Sequence, residues 1–497
     1  MSKSLWSNKW IFILAAIGSA AGLGNLWKFP FQVYDHGGGA FIVAYLVILI
    51  VMWLSMLIWE VALWQKTRDG APWALRHINK HFKWVGYFAT SMAFMILSYY
   101  MVVLWWGLDY LYYSVTSLFS GSFAWAGGSS DFFFGNILGI TGGVEEKGTF
   151  RFSIFIGTLI SVILMYFFTF KSAKSVWKTV LFTATFPFIA IVILAIRWAT
   201  LPWASAGLEY ITRVDVSKLG ELATWSAAAG QIFFTLSVAM WIMFAYGALK
   251  WEKSEIVKAV SFVAIWNTII SLLSAIAVFG TLGYLATQNG VDVTEVAKWW
   301  PSLVFVIFPE ILAKLPAFNS LFAIVFFLTI FTLAIDSAMS LVEAVTVSIK
   351  TQFHKLKIEH ITLWVITLIF VTNFIYMFGN GLYILDIVDH YVTQFGMLIV
   401  WIFQAFLFLY YSKKLLRFVE DKNDWKFITS GFIKFSWFIS LVILIWLIAL
   451  NLNKWILIYD SYSTNALLSI GLLPVLAVLL LSIILNMIEN SKCKKKG

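Results

Sequence analysis

Long apolar segments constrain this chain more than any other feature. An α-helix needs about 20 mainly apolar residues to cross the hydrocarbon core of a bilayer. Of the 497 residues, 61% are hydrophobic and only 12% are charged, a composition outside the range of soluble globular proteins. The sequence predicts an all-α polytopic membrane protein with about 12 transmembrane helices. Their approximate limits are 10–34, 40–63, 84–116, 152–170, 176–199, 225–249, 256–286, 318–349, 361–379, 388–411, 429–452 and 464–488.

Lysine and arginine are distributed unequally between the loops. If both ends of the chain lie inside, the inner loops and termini hold 25 of these residues and the outer loops hold eight. Cytoplasmic loops carry such an excess of positive charge. We therefore expect a multi-pass protein of the cell (inner) membrane with both termini in the cytoplasm. Because the basic residues are spread over loops, the net charge of +10 does not predict a nucleic-acid partner.

The first apolar segment contains a glycine-rich stretch with the sequence IGSAAGLGNLWKFPF. Gly18, Gly22 and Gly24 fall close together, and each glycine destabilises a helix interior by about 1 kcal/mol relative to alanine. One interpretation is close packing between helices, for which small residues are common in membranes. The other is an unwound helix whose carbonyl groups bind cations. Asn25 and Lys28, two polar residues within an apolar segment, favour the unwound helix.

The sixth apolar segment contains the sequence GQIFFTLSVAMW, in which polar residues lie among aromatic ones. Gln231, Thr235 and Ser237 fit either polar packing between helices or an aromatic-walled pocket with hydroxyl ligands. If the twelve helices divide into two halves of five helices and a final pair, segments one and six are the first helices of the two halves. Interrupted helices at corresponding positions in two halves indicate a binding site near the middle of the membrane.

Six carboxylates lie in or at the ends of apolar segments. They are Asp35, Glu60, Asp109, Asp336, Glu343 and Asp389. Ionisable side chains in membrane spans are costly and suggest function. Asp336 lies beside Ser337, and these two oxygen donors suit a small alkali cation; a buried structural hydrogen bond is the alternative. We interpret Glu60 as a brace for backbone N–H groups of the interrupted helices, and Asp35 and Asp109 as interfacial.

Enzymatic signatures are missing from the sequence. It contains no HExxH, GxSxG, CxxC or Walker A motif, and its single cysteine, Cys493, excludes an intrachain disulfide and a thiolate metal cluster. We therefore do not expect an enzyme. A channel remains a competing class, but a channel would not need matched interrupted helices.

Several motifs taken together resemble the neurotransmitter:sodium symporter family. They are GSAAGLGNLWKFPF followed by HGGGAF, then GQIFFTLS, the Asn267–Ser271 pair and LAIDSAMSLVE. The similarity runs from about Lys3 to past Asp389 and covers ten predicted helices. The resemblance implies a transporter core over 1–411, in which broken helices 1 and 6 belong to inverted repeats at roughly 10–199 and 225–411. Two further transmembrane helices and a basic cytoplasmic tail would follow at 412–497.

The function implied by the resemblance is secondary active symport. Inward movement of sodium, and of chloride as well, would drive uptake of a neutral amino acid by alternating access. The alternative is a transport-deficient amino-acid sensor with the same fold. Monoamine-transporting members carry an aspartate where this chain has Gly22, so the substrate must bring its own carboxylate. The partners expected are this small molecule and the lipid bilayer.

The resemblance also implies two sodium sites. The first would use Ala20, Asn25, Thr235 and Asn267 together with the carboxylate of the substrate. The second would use carbonyl groups of Gly18, Ala21 and Leu333 and the side chains of Asp336 and Ser337.

The substrate pocket and a chloride site follow from the same resemblance. The pocket residues would be Leu23, Gly24, Ile96, Tyr100, Phe234, Ser237, Met240, Ser337 and Leu341. Tyr100 would hydrogen-bond the substrate carboxylate, and Phe234 would form the outer lid. Sodium-only bacterial members carry a glutamate where this chain has Ser271, so a chloride ion is expected in its place. Its ligands would be Tyr45, Gln231, Thr235 and Ser271.

The gates depart from the family pattern. The outer gate of the family pairs an arginine with an aspartate, and this chain has Lys28 and Asp389 at these positions. A guanidinium that can bind both oxygens of a carboxylate is thus replaced by an ammonium, which acts as a point charge. Lys3, with Trp6, replaces an arginine in the inner gate, and Thr351 stands where its aspartate partner is expected.

A further departure lies in the sixth segment. Ala239 and Trp241 stand where many members have glycine. Trp241 either reduces the pocket, which would favour substrates such as glycine or alanine, or turns outward.

Overall fold

The computed structural model describes residues 17–18, 20–170, 173–238, 240–242, 256–293, 302–315, 317–420, 435–443, 445 and 459–494. Within these ranges the chain is almost entirely helical, apart from loops and two isolated β-bridges, Gly38–Val214 and Phe150–Phe378. The α-helices are α1 (Phe29–Asp35), α2 (Gly39–Ile48), α3 (Leu54–Thr67), α4 (Ala71–Ile78), α5 (Lys83–Ser120), α6 (Phe152–Thr169), α7 (Ala173–Ala199), α8 (Ala204–Thr212), α9 (Val216–Leu219), α10 (Leu222–Leu236), α11 (Ile256–Asn289), α12 (Phe308–Lys314), α13 (Asn319–Gln352), α14 (Ile358–Asn373), α15 (Gly381–Tyr391), α16 (Met397–Glu420), α17 (Thr464–Ala466) and α18 (Leu473–Lys494).

Wider π-helical turns continue several of these helices. They cover Gly24–Lys28, Leu49–Trp53, Leu303–Ile307, Val392–Gly396 and Leu467–Leu472, and a separate π-helical segment covers Asp131–Leu138. Short 3₁₀ turns cover Lys80–Phe82 and Phe374–Tyr376.

Eight helical stretches of the described residues are long and apolar enough to span a membrane. They are Lys80–Ser120, Phe152–Thr169, Phe182–Ala199, Val260–Asn289, Asn319–Gln352, Ile358–Tyr376, Gly381–Tyr411 and Thr464–Ser491. A ninth is added if Gly39–Val51 and Met56–Trp64, which meet at 42°, form one span. These helices confirm the predicted class of polytopic all-α membrane protein. The count of twelve stays a prediction, because parts of 10–34, 225–249 and 429–452 lie outside the described ranges.

Two helices form the centre of the bundle. In the most apolar 18-residue stretch of Lys80–Ser120, 72% is buried inside the protein, compared with 22% in the corresponding stretch of Thr464–Ser491. α5 packs along α13, where the small Gly107 allows close approach because a Cβ atom there would lie 3.2 Å from the Ile330 side chain. α5 and α13 thus lie at the centre of the bundle, while α18 presents apolar side chains at the periphery.

The first apolar segment is interrupted at Ala21 and Gly22, between helical residues on either side. A Cβ atom on Gly22 would lie 2.3 Å from the Ser337 hydroxyl oxygen, and one on Gly24 would lie 2.6 Å from the Phe234 ring. Only glycine allows the backbone to come this close. The interruption therefore brings backbone groups of the first segment against α10 and α13.

The second interruption follows α10. The helix ends at Leu236, and Ser237 and Trp241 both adopt left-handed conformations, with φ of +52° and +57°. Such values are uncommon for residues other than glycine and mark a local break in the helix. Both predicted interruptions are therefore confirmed, whereas the inverted repeat stays a prediction.

Candidate functional site

A small cavity lies between the two interruptions. Its volume is about 30 Å³, enough for about two water molecules. Its walls come from the first interruption, from α5 and α13, and from the end of α10 and the residues after it. The lining residues are Ala20, Gly22, Leu23, Gly24, Asn25, Ile96, Tyr100, Phe234, Thr235, Ser237, Met240, Ile242, Ser337 and Leu341. The structure thus brings all nine predicted pocket residues together. It adds five more, which are Ala20, Asn25 and Thr235 of the predicted first sodium site, and Gly22 and Ile242.

Trp241 does not point into the cavity, which agrees with the second of the two alternatives, an outward-turned side chain. Its neighbours Met240 and Ile242 line the cavity, whereas Trp241 does not. The Trp241 side chain is nevertheless buried, with 1% exposure. Because Trp241 does not line the cavity, an argument for small substrates that depends on an inward Trp241 does not hold.

A second cavity of about 250 Å³ lies next to the first. Tyr100 and Phe234 line both cavities and separate them. The Lys28 ammonium lies 4.3 Å from the centroid of the Phe234 ring and 4.0 Å from a carboxylate oxygen of Asp389. The Tyr99 hydroxyl donates a 2.6 Å hydrogen bond to the other oxygen of Asp389. The two residues predicted for the outer gate therefore lie close to each other and next to the Phe234 ring.

The side chains predicted for the first sodium site converge on one oxygen atom. The Oδ1 atom of Asn267 accepts hydrogen bonds from the Asn25 amide at 2.9 Å and from the Thr235 hydroxyl at 3.1 Å. The Oδ1 atom of Asn25 accepts a bond from the Gly22 N–H at 3.0 Å. Ala20 lies with Asn25 and Thr235 at the wall of the cavity. These groups form a buried set of neutral oxygen donors.

The residues predicted for the second sodium site lie at the contact between the first interruption and α13. Asp336 is 1% exposed, and its Oδ2 atom has no hydrogen-bond partner among the described residues. A Cβ atom on Gly18 would lie 2.6 Å from this oxygen. Ala21 lies in the interruption, and Leu333 is buried one turn before Ser337 on α13. An unpaired carboxylate oxygen thus faces the backbone of the first segment.

The residues predicted to bind chloride lie beside the first oxygen set. The Ser271 hydroxyl oxygen accepts a 2.8 Å hydrogen bond from the Asn25 amide. The Gln231 amide donates a 2.9 Å bond to the Gly24 carbonyl. The Tyr45 hydroxyl lies 3.5 Å from that of Thr268, one residue after Asn267. All of these side chains are buried.

A second set of charged and polar contacts joins the start of α5 to the end of α18. We call it the Lys83 cluster: Trp73, Lys83, Tyr87, Gln352 and Glu489. The Lys83 ammonium lies 2.6 Å from Glu489, 3.1 Å from Gln352 and 3.9 Å from the centroid of the Trp73 ring. Tyr87 donates a 2.8 Å hydrogen bond to Glu489.

Thr351 lies next to this cluster. Its hydroxyl oxygen accepts a 3.1 Å hydrogen bond from the backbone N–H of Gly70, so the position of the expected gate aspartate joins α13 to the start of α4. The proposed inner-gate residues Lys3 and Trp6 lie outside the described residues.

Two buried groups near the site were not predicted. The Thr183 hydroxyl on α7 donates to Asp336. Asp386 accepts 3.0 Å hydrogen bonds from Tyr459 and Tyr462 at the rim of the larger cavity. Burial and the neighbouring Asp386 raise the pKa of Tyr459 well above its usual value, so this hydroxyl stays protonated and donates. A threonine within an apolar segment and a carboxylate near a segment end gave no distinct signal in the sequence.

A buried cavity between two interrupted helices of a polytopic bundle is typical of secondary transporters. The family model of the sodium:neurotransmitter symporter family matches residues 3–129 and 120–493. The chain belongs to this family.

Relatives of the chain are sodium-dependent transporters. An uncharacterized sodium-dependent transporter of Methanocaldococcus jannaschii is 34% identical over 86% of this chain and 86% of its own length. The human sodium- and chloride-dependent GABA transporter 2 is 29% identical over 89% of this chain and 80% of its own. The sodium- and chloride-dependent glycine transporter 2 of Xenopus laevis is 28% identical over 92% of this chain and 65% of its own. The chain is therefore a membrane transporter rather than an enzyme.

Proposed function

We propose that the chain couples inward movement of sodium and chloride to uptake of a neutral amino acid by alternating access. The observation that carries this proposal is the small cavity between two interrupted helices, bordered by buried oxygen donors. The family supports sodium-coupled symport, and the relatives named for GABA and glycine support an amino acid as substrate. The transporter core would cover 1–411, and 412–497 would add two helices and a basic tail.

The first proposed sodium ion would lie among Ala20, Asn25, Thr235 and Asn267. The Asn267 oxygen accepts hydrogen bonds from Asn25 and Thr235. Sodium would displace these donors, and Asn25 would turn its oxygen toward the ion, because a cation needs oxygen atoms rather than N–H groups. The substrate carboxylate would complete the coordination.

The second proposed sodium ion would lie between Gly18, Ala21 and α13. A buried carboxylate oxygen without a hydrogen-bond donor is costly in a low-dielectric environment. A cation beside the Oδ2 atom of Asp336 would remove this cost, with Ser337 and the carbonyl of Leu333 as further oxygen donors. This ion would need no contribution from the substrate.

The chemistry of the cavity supports a neutral amino acid. Its polar groups include the Tyr100 and Ser337 hydroxyls. No carboxylate is among the described residues that line it, so none of these side chains offers a negative charge to a bare amine. The apolar side chains of Ile96, Met240 and Leu341 would solvate a charged substrate side chain poorly.

The chloride ion is proposed because the site needs negative charge. Two sodium ions in a low-dielectric site attract a nearby anion strongly. Ser271 stands where a carboxylate would otherwise supply this charge, and Tyr45, Gln231 and Thr235 offer further hydrogen-bond donors close by. The competing view is that Asp336 and the substrate carboxylate supply enough negative charge by themselves.

The orientation of the chain is part of the proposal. The excess of lysine and arginine in one set of loops supports cytoplasmic termini and a place in the cell (inner) membrane. Lys28 and Asp389 would then face outward and close over Phe234, and the Lys83 cluster would face the cytoplasm. Lys3 and Trp6 would belong to the inner gate.

Uptake into proteoliposomes tests the proposed function. Radiolabelled glycine, alanine, leucine and GABA are offered with an inward sodium gradient, and choline replaces sodium in the control. We expect uptake of a neutral amino acid only with sodium, and no strong competition by dopamine. Sodium-dependent binding without flux would identify the transport-deficient sensor instead. Sodium-independent binding and flux of all four amino acids would contradict the proposal.

Replacement of chloride by gluconate at fixed sodium tests the proposed anion. Wild-type uptake should fall sharply, about tenfold, because loss of the anion leaves the positive charge of the two cations less fully compensated. Ser271→Glu should restore uptake without chloride, since it places a fixed carboxylate at the same point. Ser271→Ala is the control and should not restore it. Equal wild-type uptake in both anions would reject the chloride site.

A further inference from the structure

We infer that Thr183 on α7 is a positioning residue for the second sodium ion. The inference rests on the proposed function, because it assumes that sodium binds beside Asp336. α7 supplies none of the predicted ligands, yet its Thr183 hydroxyl donates a hydrogen bond to the Oδ1 atom of Asp336. Both side chains are buried, with exposures of 5% and 1%.

The two oxygen atoms of Asp336 have different surroundings. Oδ1 is held by Thr183, whereas Oδ2 has no hydrogen-bond partner among the described residues and faces the backbone of Gly18. A carboxylate that is held at one oxygen cannot rotate freely about its Cβ–Cγ bond. Thr183 therefore leaves Oδ2 directed at the place where the ion would bind.

α7 also packs directly against the first interrupted segment. A Cβ atom on Gly18 would lie 2.9 Å from the Cβ atom of Ala184, the residue after Thr183. Gly18, Asp336 and α7 thus meet at one point. Thr183 therefore lies beside the proposed cation site, and it lines neither of the two cavities described above.

The hydroxyl of Thr183 has one proton and two acceptors within reach. Besides Asp336, the backbone carbonyl of Thr179 lies 3.0 Å away. A hydroxyl donates to one acceptor at a time, and an ionised carboxylate is a stronger acceptor than a carbonyl. The ionised form of Asp336 would therefore hold the proton of Thr183, and serine would preserve this bond while valine would remove it.

Sodium titrations of purified and reconstituted protein test this role. Thr183→Val keeps the shape of the side chain and removes the hydroxyl. We expect the sodium concentration for half-maximal uptake, and for half-maximal protection against thermal unfolding in detergent, to rise about tenfold. Uptake at saturating sodium should fall less, because the substrate pocket is untouched. Thr183→Ser should behave like the wild type.

Thr362→Val is the matched control. Thr362 is a fully buried threonine on α14 whose hydroxyl bonds the carbonyl one turn earlier, that of Ile358, at 3.0 Å. Its replacement should leave both sodium titrations unchanged. Thr183→Ala gives the same test as Thr183→Val if the valine variant does not fold.

The outcomes separate the inference from the proposed function. Wild-type sodium dependence in Thr183→Val and Thr183→Ala, with a sodium-dependent wild type, would overturn the role of Thr183 alone. A wild type whose uptake and thermal stability do not respond to sodium would overturn the proposed function and the inference with it. A shift in Thr183→Val that serine does not reverse would assign the effect to packing and would also overturn the inference.

Discussion

The contact between Lys28 and Asp389 and the contact between Lys83 and Glu489 lie far apart and differ in almost every respect. Tyr99, which binds Asp389, follows Lys83 along α5 by about 24 Å at 1.5 Å per residue. The Lys28–Asp389 distance is 4.0 Å, with side chains 17% and 22% exposed. The Lys83–Glu489 distance is 2.6 Å, and the Lys83 side chain is 2% exposed.

This difference indicates different tasks. A partly exposed ion pair at 4.0 Å contributes about 0–1 kcal/mol, which suits a contact that forms and breaks in each transport cycle. The Lys83 cluster surrounds one buried ammonium with a carboxylate, an amide oxygen and aromatic rings. It joins α5, α13 and α18, so it suits a permanent connection that holds these helices together.

Lys83→Met should have the largest effect on stability. It keeps the apolar part of the side chain and leaves the Glu489 carboxylate without its cation. Because Glu489 is partly exposed, we expect a loss of about 2 kcal/mol, less than for a fully buried pair, measured as a lower melting temperature in detergent. Lys314→Met is the control, since its pair with Glu310 is exposed on both sides and should change stability by less than about 0.5 kcal/mol. Equal melting temperatures for Lys83→Met and the wild type would contradict the structural role.

Lys28→Ala should affect transport more than stability. It removes the counter-charge of Asp389 and the cation above the Phe234 ring, contacts that together contribute about 1 kcal/mol. We expect sodium-driven uptake to fall about fivefold, with a smaller change in equilibrium binding of the substrate. Asp389→Asn should act in the same direction. Unchanged uptake in both variants would mean that Lys28 only extends toward the membrane interface.

Lys28→Arg should have the smallest effect of these substitutions, and it should strengthen the contact with Asp389 rather than weaken it. The guanidinium can bind both oxygens of a carboxylate at once, whereas an ammonium acts as a point charge. We expect substrate to dissociate about twofold more slowly from the closed lid, measured as release of labelled substrate after dilution. Faster release from this variant would contradict this prediction. It would show that the 4.0 Å contact of the ammonium with Asp389 is not what limits the strength of this pair.

The sequence was informative wherever a residue type is unusual for its surroundings. Glycines within an apolar segment predicted the first interruption, and Asp336 predicted a polar contact in α13. The structure brings these residues together in one place, at the small cavity and beside it. The pocket residues came from the family resemblance, and the structure places all nine of them around that cavity.

Other features depend on contacts that no local pattern contains. Thr183 is one of several threonines in its segment, and only the packing of α7 selects it. Lys83 and Glu489 are about 400 positions apart, so their pairing follows from the docking of α18 on α5. Trp241 has a left-handed backbone conformation, with φ of +57°, and no residue pattern in the sequence predicted it.

Concentrative uptake is the most direct test of sodium-coupled transport by this chain. Proteoliposomes are prepared with the same concentration of labelled substrate inside and outside, and an inward sodium chloride gradient is then imposed. The proposal predicts that the internal substrate rises above the external concentration and falls back when a sodium ionophore is added. Internal and external concentrations that stay equal throughout, in vesicles that bind the substrate, would contradict it.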